Sequence, residues 1–507
     1  MHTENFPVNG IIGIVANSAA EVDEALAARL SSVEIRADLL LSNQVDTNGV
    51  LAIVRQAKSS GLAVLLTLRH PTHGGAFDGT EAERVAFNLA ALEAGADIVD
   101  AEVGTEAAAE LLRAGAPLLV SQHNFDGMYT ESELSELTTR MSAPSANGHQ
   151  PLGIKIVPTA NTIGESARML QWVEARGNGE PARIGFAMGA AGAASRILTI
   201  GYGAPITYAA FGEAVAPGQV PMHELIDIYR ADQLNAKTRV YGIAGEHSLT
   251  SFSPFLHSPA FAARGINAVY VPLQTDDFDD LLETADVLRI DGMSVTTPFK
   301  EQALAAADES DDRSQACGAS NTLVYERHED ARKICAYNTD FDGVIMPIAE
   351  RARVSGLNIA IIGNGGAARG AVQALKEAGA KITMFYRNAD RGAPVAAEFG
   401  VDGALLDALD DSFDVYINAT TLGTNEDDPS PLPKSLLKRP EQIAFEMLYQ
   451  NPNSRLVQDA AERGVQIVRG SEMLVAQGTV QFDHFVGVLP SLEEFSENFE
   501  RGKTYRF

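Results

Sequence analysis

The first half of the chain predicts a closed (β/α)₈ barrel, and the second half a two-lobed α/β unit with a Rossmann-like nucleotide-binding lobe. Three observations predict this. Short apolar runs rich in Val, Ile and Leu recur through roughly the first 230 residues, with amphipathic helical stretches between them. A short polar joint, ADQLNAKT at residues 231–238, has no Gly/Ser or Pro-rich tether, so the halves are expected to be held close. Beyond it a second α/β alternation carries a Gly-rich turn, GNGGAARG, from Gly363 to Gly370.

Taken in order, the expected barrel strands are Ile11–Ala16, Ser32–Asp38, Leu62–Leu68, Asp97–Glu102, Pro117–Gln122, Gly153–Val157, Arg183–Phe186 and Ile206–Ala210. Helical periodicity is plainest at Glu81–Gly95 and Thr162–Gly177. Eight such units suggest closure, with an open doubly wound sheet as the alternative, since strand count alone does not prove closure. In the second half LNIAIIG is a buried-strand pattern running into the Gly-rich turn, with helical AVQALKEAG after it.

Composition narrows the function. With 45% hydrophobic and 21% charged residues among 507, the chain can bury sizeable cores. Lys and Arg total 39 against 67 Asp and Glu, a formal charge of −28. Such acidity disfavours nucleic acid and anionic membrane as partners, and anionic small molecules would need local basic pockets. Two cysteines, Cys317 and Cys335, make no disulfide framework and fit a reducing compartment. No apolar run is long enough to span a bilayer, and MHTENFPVNG does not resemble a signal or transit peptide, so cytoplasmic placement is expected.

Candidate chemistry in the first half centres on Lys155, inside the apolar strand GIKIV. It is either a lysine snorkelling from a strand end or a buried amine that is paired or held neutral, able to attack a carbonyl. In VEIRAD, Glu34, Arg36 and Asp38 alternate and would share one face of a strand. That face either points into the barrel, where the charges must pair, or is the solvated face of an edge strand. Arg69, His123 and Arg196 follow apolar strands, at the rim where barrel enzymes carry their chemistry.

VEIRAD, LTLRH followed by Gly74-Gly75, SQHNF, GIKIV, the SRI turn and APGQ at Ala216–Gln219 resemble, in this order, type I 3-dehydroquinate dehydratase over roughly residues 8–230. The resemblance implies dehydration of 3-dehydroquinate to 3-dehydroshikimate with neither metal nor organic cofactor. It implies Lys155 as imine-forming nucleophile, His123 as general base and acid, and Glu34 orienting His123. Arg196 would clamp the substrate carboxylate, with Arg36, Arg69 and Gln219 completing the pocket. Two positions depart from the family pattern. His73 stands where a Glu usually precedes the paired glycines, and Val215 where a Ser usually stands four residues before the Gln.

The second half has its own set. In G-x-G-x-x-A, Gly363, Gly365, Gly366 and Ala367 would let a pyrophosphate approach a helix N-terminus. After the next strand, KITMFY, stand Arg387 and Arg391. They favour a 2′-phosphate, unless they are surface arginines paired with Asp390. SFSP, SVTTPFKE, ASNTL, YNTD, GNGGAARG, NATTLG and EMLVAQ together resemble shikimate dehydrogenase over about residues 239–507. The resemblance implies NADP(H)-dependent reduction of 3-dehydroshikimate to shikimate. Lys300 and Asp340 would be the catalytic pair, and Ser251 and Ser253 would bind the carboxylate. Thr296, Asn321, Tyr449 and Gln477 would complete the substrate pocket, with Asn418 and Thr420 near the cofactor. It also implies a barrel over 1–232, a substrate lobe over 239–340 with a C-terminal helix from about 472 to 507, and a nucleotide lobe over 341–475. Here too there are departures, for the usual S-H-S-K-S-P reads Leu249 to Pro254, and the usual Asn-Arg-Thr reads Tyr386-Arg387-Asn388. Alternatives are quinate or NAD as substrate or cofactor of the second half, or a catalytically silent quinate-pathway regulator. The presence of Lys155, His123, Lys300 and Asp340 speaks against the regulator.

Overall fold

The computed structural model describes residues 6–211, 220–328 and 331–506. It forms two compact units, Met1–Pro254 with Arg264–Ile290, and Phe255–Ala263 with Asp291–Phe507.

In the first unit eight parallel strands run as β1 Gly10–Val15, β2 Ser32–Arg36, β3 Ala63–Thr67, β4 Ile98–Glu102, β5 Leu118–Asn124, β6 Gly153–Pro158, β7 Ala182–Gly185 and β8 Ile206–Ala210. Their order is β7-β6-β5-β4-β3-β2-β1-β8, so the last strand pairs with the first. That is the nearly closed barrel and not the open doubly wound alternative. Between β7 and β8 the Phe186 and Tyr208 rings pack at 5.9 Å. Ile12, Leu65, Ile98, Leu119, Ile184 and Ile206 fill the core with Phe6 and Val8. Short polar side chains start the helices. Thr80 and Thr130 form capping boxes with Glu83 and Glu133, and Asp46 accepts from Gly49 N at 2.7 Å.

One expectation needs correction. β2 ends at Arg36, and Asp38 belongs to the helix Ala37–Ser42, so the three charges of VEIRAD do not share a strand face. Arg36 and Asp38 instead form a two-bond fork at 2.9 and 2.8 Å, while Glu34 is buried. The chain turns into a helix directly after the strand, as barrel loops are short.

The first compact unit also extends past the expected boundary at 232–239. It includes β9 Arg239–Gly245 and β10 Ala268–Gln274, paired in parallel. Asp280 Oδ2 accepts from Gly164 N at 2.8 Å, and Tyr202 donates to Val287 O at 2.6 Å. Arg289 pairs with Glu174 at 2.6 Å and lies 3.8 Å over the Tyr202 ring. These bonds tie residues 280–289 to barrel helices, which is why the unit does not end at the joint.

In the second unit β11 Ile290–Val295 pairs antiparallel with β13 Thr322–His328, which forms an antiparallel pair with β14 Ala331–Tyr337; β12 Glu309–Ser310 lies parallel on β14. A second sheet comprises β15 Asn358–Ile362, β16 Lys381–Tyr386, β17 Asp402–Leu405, β18 Val415–Asn418, β19 Ile443–Glu446 and β20 Gln466–Val468. It is all parallel, in the order β17-β16-β15-β18-β19-β20. That is the 3-2-1-4-5-6 dinucleotide-binding order, with its switch point between β15 and β18. Its core includes Ile359, Ile361, Val372, Met384, Val415, Ile417 and Phe445. Among the described residues no helix is long and apolar enough to cross a membrane.

His257 is fully buried among Phe482, Phe485 and Phe495. Burial pushes its pKa down to about 3, against a hydrogen bond to Gln481 that raises it. A folded pKa below the unfolded one makes the neutral ring a stabilising group above pH 6.5. That stability is lost as pH falls from there towards about 3. His257→Leu is therefore expected to flatten the loss of urea-unfolding free energy between about pH 6 and 4, where the parent falls by roughly 1 kcal/mol per pH unit from this group.

Candidate active sites

The barrel gathers a buried charge cluster at the C-terminal ends of β2 to β6. Lys155, on β6, is buried with its Nζ 3.1 Å from Asp100 Oδ2, 4.0 Å from Glu34 Oε1 and 3.4 Å from the Tyr208 hydroxyl. The Asp100 contact is close but poorly aligned for a hydrogen bond, so charge is its main attraction. The snorkelling alternative does not describe a lysine this enclosed. Asp100 Oδ1 faces Arg69 Nη2 at 3.0 Å and accepts from Ser121 Oγ at 2.7 Å. Arg69 Nη1 reaches Ser121 Oγ at 3.1 Å, Glu102 Oε1 at 3.4 Å and His123 Nδ1 at 3.5 Å. A guanidinium only donates, so that contact requires the His123 Nδ1 lone pair and places the neutral ring's proton on Nε2.

Burial lowers the pKa of Lys155 and, by more, that of His123; Asp100 counters it at Lys155, and the Arg69 and Lys155 charges reinforce it at His123. Asp100 itself is held well below the usual carboxylate range, because Arg69 and Lys155 outweigh its burial. The site thus joins an amine pushed towards neutrality to an imidazole kept neutral, which suits imine formation and proton abstraction.

Glu34 lies against Lys155 and accepts from Thr67 Oγ1 at 2.7 Å. It makes no hydrogen bond to His123, so the orienting role implied by resemblance has no contact behind it here. Arg196 lies on the helix Ala193–Leu198 after β7, its guanidinium 4.3 Å over the Phe186 ring. Burial lowers its pKa to about 10, a penalty that an incoming carboxylate would relieve. Gln219 and Val215 lie outside the described residues. His73 is half-buried on the turn Pro71–His73 after β3, beside Gly74, whose φ is +76°. A Cβ on Gly74 would meet the Phe125 ring at 2.8 Å, and that ring stacks on His123 at 6.2 Å. The loop therefore covers the imidazole through Phe125.

Sequence reasoning missed Asp100, Glu102, Ser121 and Tyr208. For the first two there was a signal, since IVDAE places two acids on alternate positions of an apolar strand, as VEIR does for Glu34 and Arg36.

In the second unit Lys300 Nζ and Asp340 Oδ2 are 2.6 Å apart. Lys300 opens the helix Lys300–Ala305 and Asp340 opens the helix Asp340–Ala349. Asn321 Nδ2 donates to Asp340 Oδ1 at 2.9 Å and to Gln477 Oε1 at 3.1 Å. Four of the expected residues thus form one hydrogen-bonded group. Thr296 follows β11 in the turn leading to Lys300, its carbonyl accepting from Phe299 N. Tyr449 lines a cavity of about 510 Å³ with Arg469, Gly470, Phe499 and Lys503, and Lys300, Asp340, Asn321 and Gln477 are not part of its lining. Ser251 and Ser253 belong to the first compact unit, where their hydroxyls are 3.2 Å apart.

At the nucleotide turn Gly363 has φ +123°, and a Cβ there would meet Ala419 O at 2.8 Å. Gly365 and Gly366 face open space, with nothing within 4 Å of a Cβ built on either. Gly365 caps the helix Gly366–Glu377 without a side-chain hydrogen bond, and Ala367 lies in its exposed first turn. The first-turn N–H groups are therefore available to a pyrophosphate. Arg387 lines a cavity of about 630 Å³ with Leu405, Leu406, Asp407, Ser430 and Leu432. Arg391 is exposed in the first turn of the helix Ala389–Phe399, which Asn388 caps through its Oδ1. Tyr386 turns inward onto Gly392, where a Cβ would meet its ring at 2.1 Å. The donor set fits a phosphorylated dinucleotide. Asn418 is different, because it is fully buried and its amide is used by Leu422 O, Glu446 and Thr420. Its side chain shapes the Thr420–Gly423 loop and leaves nothing for a ligand.

A model of the type I 3-dehydroquinase family matches residues 12–236, and one of the shikimate dehydrogenase substrate binding domain matches residues 243–323. The chloroplastic bifunctional 3-dehydroquinate dehydratase/shikimate dehydrogenase of Arabidopsis thaliana is 32% identical over 490 residues, spanning 91% of this chain and 78% of that one. The chain belongs to the bifunctional 3-dehydroquinate dehydratase/shikimate dehydrogenase family. A shikimate dehydrogenase (NADP(+)) of Pyrococcus furiosus is 34% identical over 258 residues, 50% of this chain and 92% of that protein. That of Methanothrix thermoacetophila is 32% identical over 256 residues, 49% and 92% respectively. The chain is thus an enzyme with two activities in sequence, a lyase that dehydrates 3-dehydroquinate and an oxidoreductase that reduces the product to shikimate.

Asp100→Asn should leave Lys155 and Arg69 without their shared anion. Barrel stability in urea is expected to fall by about 3 kcal/mol, the scale of a broken buried pair. The Lys155 pKa should fall further, read as faster labelling of that lysine by trinitrobenzenesulfonate at neutral pH in peptide maps.

Proposed function

We propose that the dehydratase half works through an imine on Lys155 and the dehydrogenase half through a proton relay between Lys300 and Asp340 with NADP(H). The observation that carries the first is an enclosed lysine of lowered pKa, 3.1 Å from Asp100, which shares Arg69 with His123.

The neutral Lys155 amine attacks the ketone of 3-dehydroquinate, and loss of water with uptake of one proton from solvent leaves a protonated imine. That cation acidifies the adjacent C–H. His123 takes this proton and returns one to the departing hydroxyl, giving the conjugated imine; hydrolysis releases 3-dehydroshikimate and restores Lys155. Asp100 stabilises the iminium charge as it stabilises the ammonium. His123 must first free a ring nitrogen, so the ring turns when substrate arrives, while Arg69 stays on Asp100. Arg196 holds the carboxylate, and Arg36, Arg69 and Gln219 complete the pocket.

In the second half Asp340, held by Asn321, accepts the Lys300 ammonium at 2.6 Å. That pair donates the proton that turns the 3-dehydroshikimate ketone into a hydroxyl. Gln477, bonded to Asn321, and Thr296 position the ring. Gly363, Gly365, Gly366 and Ala367 would hold the pyrophosphate, with Thr420 on the loop beside them. Arg387 and Arg391 would take the 2′-phosphate, and the bound nicotinamide would supply the hydride. The NADP(+) specificity in the name of the Pyrococcus furiosus relative supports this choice. For this chemistry 239–340 with 472–507 acts as substrate lobe and 341–475 as nucleotide lobe. Free Cys317 and Cys335 support a reducing compartment such as the cytoplasm.

One assay tests both halves. With 3-dehydroquinate and NADPH as the only additions, NADPH absorbance should fall and shikimate accumulate. Consumption of added 3-dehydroshikimate alongside inertness to 3-dehydroquinate would contradict the dehydratase reading. Inertness to both would contradict the whole.

A further inference from the structure

We propose that Arg84, on the helix Glu81–Glu93, is a positioning residue of the dehydratase site. Through Glu102 it keeps Arg69 on Asp100 and His123, and so keeps Lys155 reactive. The inference rests on the Lys155 mechanism proposed above.

Arg84 is fully buried, the largest side chain in the chain to be so. A buried guanidinium on a helix packed against a barrel adds little stability over an apolar residue of similar size, because removing the charge from water costs several kcal/mol. Its partners explain its presence. Arg84 pairs with Glu102 Oε2, and with Glu81 Oε1 at 2.7 Å. Glu102, equally buried, also accepts from His70 N at 3.2 Å and faces Arg69 Nη1 at 3.4 Å. Arg69 faces Asp100 at 3.0 Å, and Asp100 faces Lys155 at 3.1 Å. The charges alternate from helix to nucleophile as Arg84, Glu102, Arg69, Asp100 and Lys155. Both arginines stay charged at any working pH, and each carboxylate lies between two cations. Lys155 is the cation of the series that burial leaves with a lowered pKa.

Without the Arg84 charge, Glu102 has Arg69 as its remaining cation within this series and draws it in. Asp100 then serves Lys155 alone, which raises the amine's pKa, and His123 loses the cation beside Nδ1, which raises its pKa too. The other charged or titratable groups around the two are Glu34 and Arg36 at β2, His73 on the turn after β3, Arg196 after β7 and Tyr208 on β8. Of these, His73 also feels the Arg84 charge, which lowers its pKa and which the substitution removes. The two groups that must be unprotonated for turnover therefore both become harder to deprotonate.

The test is the pH profile of dehydratase kcat in full-length Arg84→Met, Arg84→Lys and the double variant Arg84→Met/Glu102→Gln. Arg84→Met should lower kcat at neutral pH about tenfold and move the acid limb up by about half a pH unit or more. Arg84→Lys keeps the charge and should return the limb to its parental position. The double variant removes cation and anion together, and should also bring the limb back. A limb unmoved in Arg84→Met would overturn the inference, as would a kcat loss that neither other variant relieves. Should Arg84→Met not fold, the limb positions of the other two decide, and displacement of either from the parent contradicts the account. A parent enzyme that gives no reducible imine at Lys155 would instead sink the mechanism on which the inference stands.

Discussion

The sharing of Asp100 between Lys155 and Arg69 is the constraint on which the dehydratase site depends. Two cations buried in a barrel would repel each other and be expelled to solvent without a fixed anion between them. Asp100 supplies it from β4, with Ser121 Oγ on the same oxygen as Arg69. Burial disfavours the ammonium while Asp100 favours it, and the balance leaves Lys155 below its ordinary pKa yet still held in place. The same Arg69 that anchors Asp100 reaches His123, so nucleophile and base are tuned by one guanidinium.

The fold makes that arrangement possible by geometry. Parallel strands that end on the same side bring Glu34, Asp100, His123 and Lys155 from different strands into reach across the barrel mouth. In the other unit the same logic uses an open sheet. The chain reverses strand order between β15 and β18, and the Gly-rich turn and the Asn418-braced loop flank the crevice this creates. Asn321 and Asp340 meet at the ends of different elements, joined by a hydrogen bond from the buried Asn321 amide. The two sites therefore differ in electrostatic character. One is an enclosed charge cluster with shifted pKa values, the other a half-exposed ion pair.

Much of this was legible in the sequence. Strand alternation marked all eight barrel strands, because buried parallel strands have few ways to be written other than apolar runs. LNIAIIG followed by glycines marked the nucleotide turn for the same reason. Less legible was anything decided across space. VEIRAD read as one strand face, yet the chain bends into a helix after Arg36, and the pairing of Arg36 with Asp38 follows from that bend. Asp100 and Glu102 carried an alternating signal but no sign of their partners, which lie just after β3, on β6 and on the helix Glu81–Glu93. Asn418 looked like a ligand residue by its motif, and only its saturated hydrogen bonds show it braces a loop. The compact unit's reach to Ile290 depends on Asp280 and Arg289, two surface-like residues whose partners lie more than a hundred positions away.

The most direct measurement is reduction of the working enzyme with borohydride in the presence of 3-dehydroquinate, followed by peptide mass analysis. The account predicts a stable adduct on the peptide carrying Lys155, formed only with substrate present, and loss of dehydratase activity while 3-dehydroshikimate is still reduced. An enzyme that turns over 3-dehydroquinate yet yields no adduct, or yields it on another lysine, would contradict it.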